Sequence, residues 1–539
     1  YAIRLSLVGS EDVYKRQAIL TANVQIKTDA NNGSIDFSST INNDTSGNGP
    51  FNLTLDTNAG AIGVGGLIGA NNALGAIDIN ASDGTGAITL AGMGDTSANS
   101  NAGAAGNSGT VDIGNANTAD LNLAGYFFTG GVTNFEADST VTENNAVTDE
   151  VIDITANTTI KSASAITFTG AAIDAANGVT SLKIDSGSAA LTLTDIHGDG
   201  TADTLAVDID GGAVSVKNIG NSAAIDEVNT VDITGTAITL NGAIYTDGTN
   251  PNIAFNGPVS LGGATVISSD NGTIDFSSTV TGTRDLDILS GSGQVTISGD
   301  IGTGGTPLAT LDINATGSST GTGNIRILKN IGADGTSGAG VVTLGNTNTG
   351  TITFGTSGTE GEYFTTGAQT YNAASYSLVG TDPDFNASSE NIQFLDGASG
   401  ITLATGSDLT VDTGGAGGGE DGNITIAGAI TSTDGQTTAV TLEAGSGSVS
   451  IAAIGDGTPG IGNVTIDGSG GITLNGNITT NAGNIDVNNA TVLAGGDITL
   501  TTGGGTVDFI ATNGTIDSAA GETNSLIINS GEGNIALNA

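Results

Sequence analysis

The sequence predicts an all-β protein wound as a parallel β-helix, a β-solenoid with rungs of about 21–26 residues. Three observations lead there: short apolar–polar–apolar triplets, clusters of Gly, Asn and Asp between them, and self-similarity at two nested periods.

The triplets come first. Ile424-Thr-Ile426, Val449-Ser-Ile451, Val464-Thr-Ile466 and Ile498-Thr-Leu500 alternate with period two, so each sends its apolar side chains to one face and its Thr or Ser to the other. Gly, Asn and Asp fill the gaps, where the backbone needs tight corners or positive φ. Strands this short cannot bury a core alone, so each must stack on copies of itself. No window carries sustained 3.6-residue apolar spacing, and Gly and Thr disfavour helix throughout.

The repeats come second. Gly33-Ser-Ile-Asp-Phe37 returns as Gly272-Thr-Ile-Asp-Phe276 and as Gly505-Thr-Val-Asp-Phe509. Ile77-Asp-Ile-Asn80 matches Leu311-Asp-Ile-Asn314, and Ile238-Thr-Leu-Asn-Gly242 recurs letter for letter at Ile472 to Gly476. Tyr126-Phe-Phe-Thr-Gly130 lines up with Tyr363-Phe-Thr-Thr-Gly367. These landmarks define long units at 18–256 and 257–489 and the start of a third at 490–539. Inside them runs the short period, seen where Val207-Asp-Ile209 is followed one rung later by Val231-Asp-Ile233. Ile238, Leu240, Ile472 and Leu474 are predicted to point inward. The competing fold, tandem β-sandwich repeats, needs longer strands and large core aromatics. With 4% aromatics and no Trp, the solenoid is the better account.

Residues 1–17, YAIRLSLVGSEDVYKRQ, stand apart. They hold three of the ten basic residues, Arg4, Lys15 and Arg16, and the text SLVGSE and DVYKRQ resembles a translated sequencing adapter. A secretion signal would have a longer apolar segment. The expectation is a non-native leader lying outside the regular stack, with 18–539 a piece of a longer reading frame.

Composition narrows the partners. The formal net charge is −45, from 55 Asp and Glu against ten Lys and Arg. Such a surface cannot neutralise phosphates, so no nucleic acid is expected as a partner, and no stretch is long and apolar enough for membrane insertion. Disorder is excluded by the 37% of apolar residues, mostly β-branched or Leu and Ala at regular spacing. The absence of Cys fits an exported protein that does without disulfides.

The triplets, the Gly-Asn-Ile-Thr stretches, Ile301 to Ala315 (IGTGGTPLATLDINA) and Thr365 to Ala374 (TTGAQTYNAA) resemble the repeat regions of filamentous-haemagglutinin-like, β-strand-repeat adhesins of Gram-negative bacteria. The resemblance spans nearly all of the chain after Gln17. It implies a secreted or surface-tethered rod at the bacterial cell surface, outside the cell or on the outer membrane, acting in adhesion or biofilm formation. Its partners would be glycans or proteins of a host or neighbouring cell.

Two other functions compete with this one. A β-helix polysaccharide-degrading enzyme needs clustered carboxylates. Here the carboxylates are scattered, and His197 is the only His. No catalytic residues are assigned, and the chain is expected not to be an enzyme. A calcium-rigidified surface-layer or adhesin repeat would need a ligand loop. Asp195-Ile-His-Gly-Asp-Gly-Thr-Ala-Asp203 offers Asp195, Asp199 and Asp203 around Gly, a spacing that would suit Ca²⁺. Its counterparts Ile301-Gly-Thr-Gly-Gly-Thr-Pro307 and Ile454-Gly-Asp-Gly-Thr-Pro459 keep the turn and lose most carboxylates, so a structural corner without a cofactor is expected. Corner Asn and Thr are expected to form stacked hydrogen-bonded ladders.

Overall fold

A computed structural model describes residues 3–5, 17–28, 32–44, 49–82, 84–94, 109–138, 152–198, 204–221, 228–248, 251–315, 321–332, 339–414, 421–433, 438–455, 461–510 and 515–538. Among these the regular structure is all β, in short strands, with no helix. The chain divides into two compact units, Tyr1–Gly262 and Gly263–Ala539. Each is a solenoid whose rungs contribute one strand to each of three parallel sheets.

In the first unit, the first sheet stacks Val24–Thr28, Leu53–Thr57, Ile77–Ile79, Val111–Gly114, Thr133–Glu136 and Ile166–Thr169. The second stacks Ile35–Phe37, Ile62–Val64, Ile88–Met93 and the start of Leu121–Thr129. The third runs through Thr158–Ser162, Ser181–Asp185 and the first halves of Ala206–Val216 and Thr230–Leu240. In the last two strands the corner between third and first sheets is straightened, and one long strand serves both sheets.

The second unit repeats the plan. Its first sheet begins Thr265–Ser269, Asp285–Leu289, Thr310–Ile313. Its second begins Ile274–Phe276, Val295–Ile297, Ile325–Ile327. The third begins at Val280–Thr281 and continues through single bridges at Ile301, Ile331 and Tyr363.

Period-two alternation governs most of the strands, with runs of consecutive buried residues in a few such as Ile41–Asn43 and Leu53–Thr57. The outer residues of a triplet are buried and the middle one faces out, as in Ile424–Ile426, Val449–Ile451 and Ile472–Leu474. Ile238, Leu240, Ile472 and Leu474 are all inward and at most 1% exposed. Parallel register sets like on like, for example Ile77 and Ile79 against Val111 and Ile113, so aliphatic side chains form continuous columns along the interior. Burying each such side chain is worth about 1.5–3 kcal/mol. Close stacking at the corners excludes side chains altogether in places. A Cβ on Gly293 would collide with the Gly272 carbonyl of the rung below, and one on Gly323 with that of Gly293.

Two details differ from the expectation. Rung length varies more widely than the short period suggests, from the tight step between Ile472 and Thr491 to the long one between Ile77 and Val111. Strands keep their pairing while the segments between them absorb the difference in length. The aligned Tyr126 and Tyr363 are not equivalent. Tyr126 is 45% exposed and Tyr363 fully buried; Phe127 is the inward residue of the first unit. The true match is offset by one residue, and a one-residue slip exchanges the faces of a strand. At the start of the chain, Ile3–Leu5 pairs antiparallel with Ala18–Leu20, whereas the ladders of the two stacks are parallel. Residues 6–16 of the expected leader lie outside the described residues.

The sparse aromatics are concentrated. Phe354, Tyr363, Tyr371, Tyr376, Phe385 and Phe394 are all buried in successive rungs of the second unit, with ring centroids 4.6–5.6 Å apart. Buried Gln369 sits among them. Its Nε2 donates to the carbonyls of Tyr363 (2.8 Å) and Asn386 (2.7 Å), and its Oε1 accepts from the Tyr371 hydroxyl at 2.8 Å. Burial holds the Tyr371 hydroxyl well above its ordinary pKa and raises that of Tyr363.

Candidate functional site

The polar groups with the most developed geometry sit at corners. In the first unit Asn80 takes positive φ (51°), and its Oδ1 accepts from the buried Thr57 N–H at 2.7 Å. Asn115, one rung on, donates from Nδ2 to the carbonyls of Asn80 and Gly84. The second unit reproduces this. Asn314 has φ 52°, its Oδ1 accepts from Ser290 N–H at 2.9 Å, and its Nδ2 donates to Ser290 Oγ at 3.0 Å. Asn346 then donates to the Asn314 carbonyl at 2.7 Å. Asn115 and Asn346 N–H groups donate to Thr118 and Thr349 Oγ1, both at 2.9 Å. The expected corner ladders are therefore present, and two copies share one geometry. Their chemistry is internal: each amide satisfies the backbone of a neighbouring rung, where an unpaired buried group would be costly.

The calcium loop resolves in part. Asp195 Oδ1 accepts from both N and Nδ2 of Asn218, each at 3.0 Å, and Asn218 Oδ1 in turn accepts from Ala243 N–H at 2.8 Å. Asp195 thus belongs to a corner ladder of the same kind. Asp199 and Asp203 lie outside the described residues. At the counterpart corners, Ile301 and Ile454 are buried bridge residues followed by Gly302 and Gly455 at φ 66° and 71°. His197 is buried and lies in register with Asp174. Among the described residues no group of three or more His, Cys, Asp or Glu is arranged to hold a metal.

Outward faces carry the charge, and parallel register sets like charges side by side. Asp78 pairs with Asp112, Asp208 with Asp232, Asp287 with Asp312 and Asp486 with Asp508, while Glu443 lies between Asp412 and Asp467. Partial desolvation raises the pKa of Asp78, Asp232, Asp287 and Asp486, and the neighbouring carboxylates add to the effect. Desolvation also raises Asp384, with Asp382 and Glu360 contributing, against a hydrogen bond from Thr410. Lysines relieve this in a few places: Lys27 meets Asp56 at 2.8 Å, Lys161 meets Asp185 at 2.7 Å, and Lys183 bridges Asp208 and Asp210. Along the chain the carboxylates look scattered. Only the rung register brings them together in pairs, and separations of one rung are the signal that the sequence holds.

A shallow groove of about 460 Å³ lies on the second unit, lined mainly by hydroxyls of Ser357, Ser377, Thr381, Thr402 and Thr433 over Val379. It has neither carboxylate nor aromatic platform. The chain matches no protein-family model, and no curated protein or solved structure is significantly similar to it. Among the described residues no helix is long and apolar enough to cross a membrane.

Proposed function

We propose that this chain is the repeat scaffold of a bacterial cell-surface or secreted adhesin, acting in adhesion or biofilm formation and carrying no catalysis of its own. One observation supports this most. What the two units share at matched positions is structural: inward aliphatic columns and the Thr57–Asn80–Asn115 and Ser290–Asn314–Asn346 ladders. The outward carboxylate pairs are not shared in this way: Asp78 has Asp112 beside it one rung on, whereas its counterpart Asp312 has Thr343 there and Asp287 one rung before. Dense outward negative charge keeps a long stack of β-rungs from sticking sideways to its copies. Its partners on this reading are glycans or proteins of an opposing cell.

The test displays the chain on cells stripped of their own adhesins and, in parallel, incubates the purified chain with a panel of polysaccharides. Attachment above the empty display control, with no release of reducing ends, is expected. Saccharide cleavage that tracks the purified chain would overturn the proposal in favour of a β-helix hydrolase.

A further inference from the structure

The long repeat and the rung do not share a common phase, and this can be followed within the second unit alone. Ile274–Phe276, from the second copy of the Gly-x-Ile/Val-Asp-Phe landmark, lies in the second sheet. From there that sheet rises through Val295–Ile297, Ile325–Ile327, Thr351–Phe354, Ser375–Leu378, Ile401–Leu403, Ile430–Ser432, the bridge at Ile454, Ile478–Thr480 and Ile498–Thr502. That is nine rungs. The third copy, Val507–Phe509, is not in this sheet. It stacks on Ile485–Asn488, in the third sheet. The strand before the landmark shifts likewise, from the first sheet (Thr265–Ser269) to the second (Ile498–Thr502). The strand after it shifts from the third (Val280–Thr281) to the first, where Ile516–Ser518 stacks on Thr491–Leu493. Three consecutive strands agree: one long repeat is nine turns and one strand.

Corner chemistry at and beside the landmarks moves with them. A hydroxyl bonded to a Gly three residues on marks one type of corner. Low in the stack it joins first to second sheet, with Ser269 Oγ accepting from Gly272 N–H at 3.0 Å and Ser290 Oγ donating to the Gly293 carbonyl at 2.7 Å. High in the stack it joins second to third sheet, with Thr480 and Thr502 donating to the carbonyls of Gly483 and Gly505, both at 2.6 Å. Ser530 and Gly533 continue it there at 2.9 Å.

We infer that the long repeat is a rotational phasing device, which sets each copy one sheet further round the solenoid so that an outward feature carried once per repeat is displayed on all three sides in turn. A triangular coil with a whole-turn repeat would align every copy on one side and reserve that side for one partner. With a third of a turn left over, Asp275 of one copy faces out from the second sheet and Asp508 of the next from the third, and a further copy would face out from the first. Outward positions that recur once per long repeat therefore wind around the stack instead of lining up along one side. This stands apart from the adhesin proposal.

The test places a single Cys at the outward positions, Asp275→Cys with Asp508→Cys, couples each to a small gold cluster and images the full chain by cryo-electron microscopy. Viewed down the stack, the two clusters should lie about 120° apart, at a rise of about 45 Å for ~4.8 Å per rung. A second pair, Asp275→Cys with Thr501→Cys, should be eclipsed, since both residues face out from the second sheet in one register column nine rungs apart. Eclipsed clusters in the first pair would overturn the inference. If either Asp substitution impairs folding, the in-register neighbours Thr296 and Asp486 carry the same labels and the same expectation.

Discussion

Asn314 is the position where the corner account makes its sharpest demand. Three features meet there: positive φ, an Oδ1 that holds the N–H of fully buried Ser290, and an Nδ2 that holds the Ser290 hydroxyl. Asn314→Gly keeps the backbone conformation at no steric cost but strands the Ser290 N–H, and leaving a buried donor unsatisfied costs about 1–3 kcal/mol. Asn314→Ala adds the left-handed penalty of a Cβ-bearing residue, about 1–2 kcal/mol more. The expected losses are thus about 2 kcal/mol for Gly and about 3–4 kcal/mol for Ala. Because a solenoid opens locally rather than all at once, native-state hydrogen exchange is the proper assay. Protection should fall in the rungs around 288–346 and stay unchanged several rungs away. The same order, Ala worse than Gly, is expected at Asn80, whose φ and amide contacts match. Equal losses for Gly and Ala would refute the reasoning. So would losses for both no larger than those of an ordinary surface substitution, about 0.5 kcal/mol.

Other outcomes follow from the charge and aromatic arrangements. Asp78, Asp232, Asp287, Asp384 and Asp486 have folded-state pKa values raised above the unfolded value, so the folded chain holds more protons. Stability should then rise as pH falls from neutral toward the carboxylate range near 4. Thermal melts between pH 7 and pH 5 check this, and a steady fall in Tm over that window would contradict it. Calcium should raise Tm no more than monovalent salt does at equal ionic strength; a large saturating rise, lost on Asp199→Asn with Asp203→Asn, would establish a tight site. Tyr371→Phe removes the donor to Gln369 Oε1 and should cost about 1 kcal/mol. Tyr363→Phe should cost nothing or stabilise, because the Tyr363 hydroxyl is buried with no hydrogen-bond partner among the described residues. Urea unfolding of the two variants separates the cases, and a costly Tyr363→Phe would show that its hydroxyl is satisfied.

The triplets foretold the strands because a period-two pattern has one mechanical reading: Ile472 and Leu474 can both be buried only if Thr473 faces out. The corner ladders were legible for a related reason, since Asn at a tight corner both tolerates positive φ and caps the neighbouring rung. What escaped was relational. Tyr126 and Tyr363 align by letter, yet the alignment gives no sign that the inward partner of Tyr363 is Phe127. The carboxylate pairs became visible only when register put Asp287 beside Asp312. The phase of the long repeat was also hidden. Rungs as unequal as Ile472 to Thr491 and Ile77 to Val111 do not convert the interval from Gly272 to Gly505 into a number of turns. The aromatic content was too low to suggest a sandwich, and that same count concealed the six rings gathered around Gln369.

In-register parallel stacking is the claim on which the corners, the charge ladders and the phase all rest, and disulfide trapping tests it most directly. Thr402 and Thr431 face out from adjacent strands and are register partners, although a whole rung of chain separates them. Neighbouring strands lie ~4.8 Å apart, within reach of a disulfide. Thr402→Cys with Thr431→Cys should oxidise rapidly and nearly completely in the folded chain. Thr402→Cys with Thr425→Cys, closer in sequence but on different sheets, should remain reduced. Equal oxidation of both pairs, or preference for the second, would contradict the three-sheet rung.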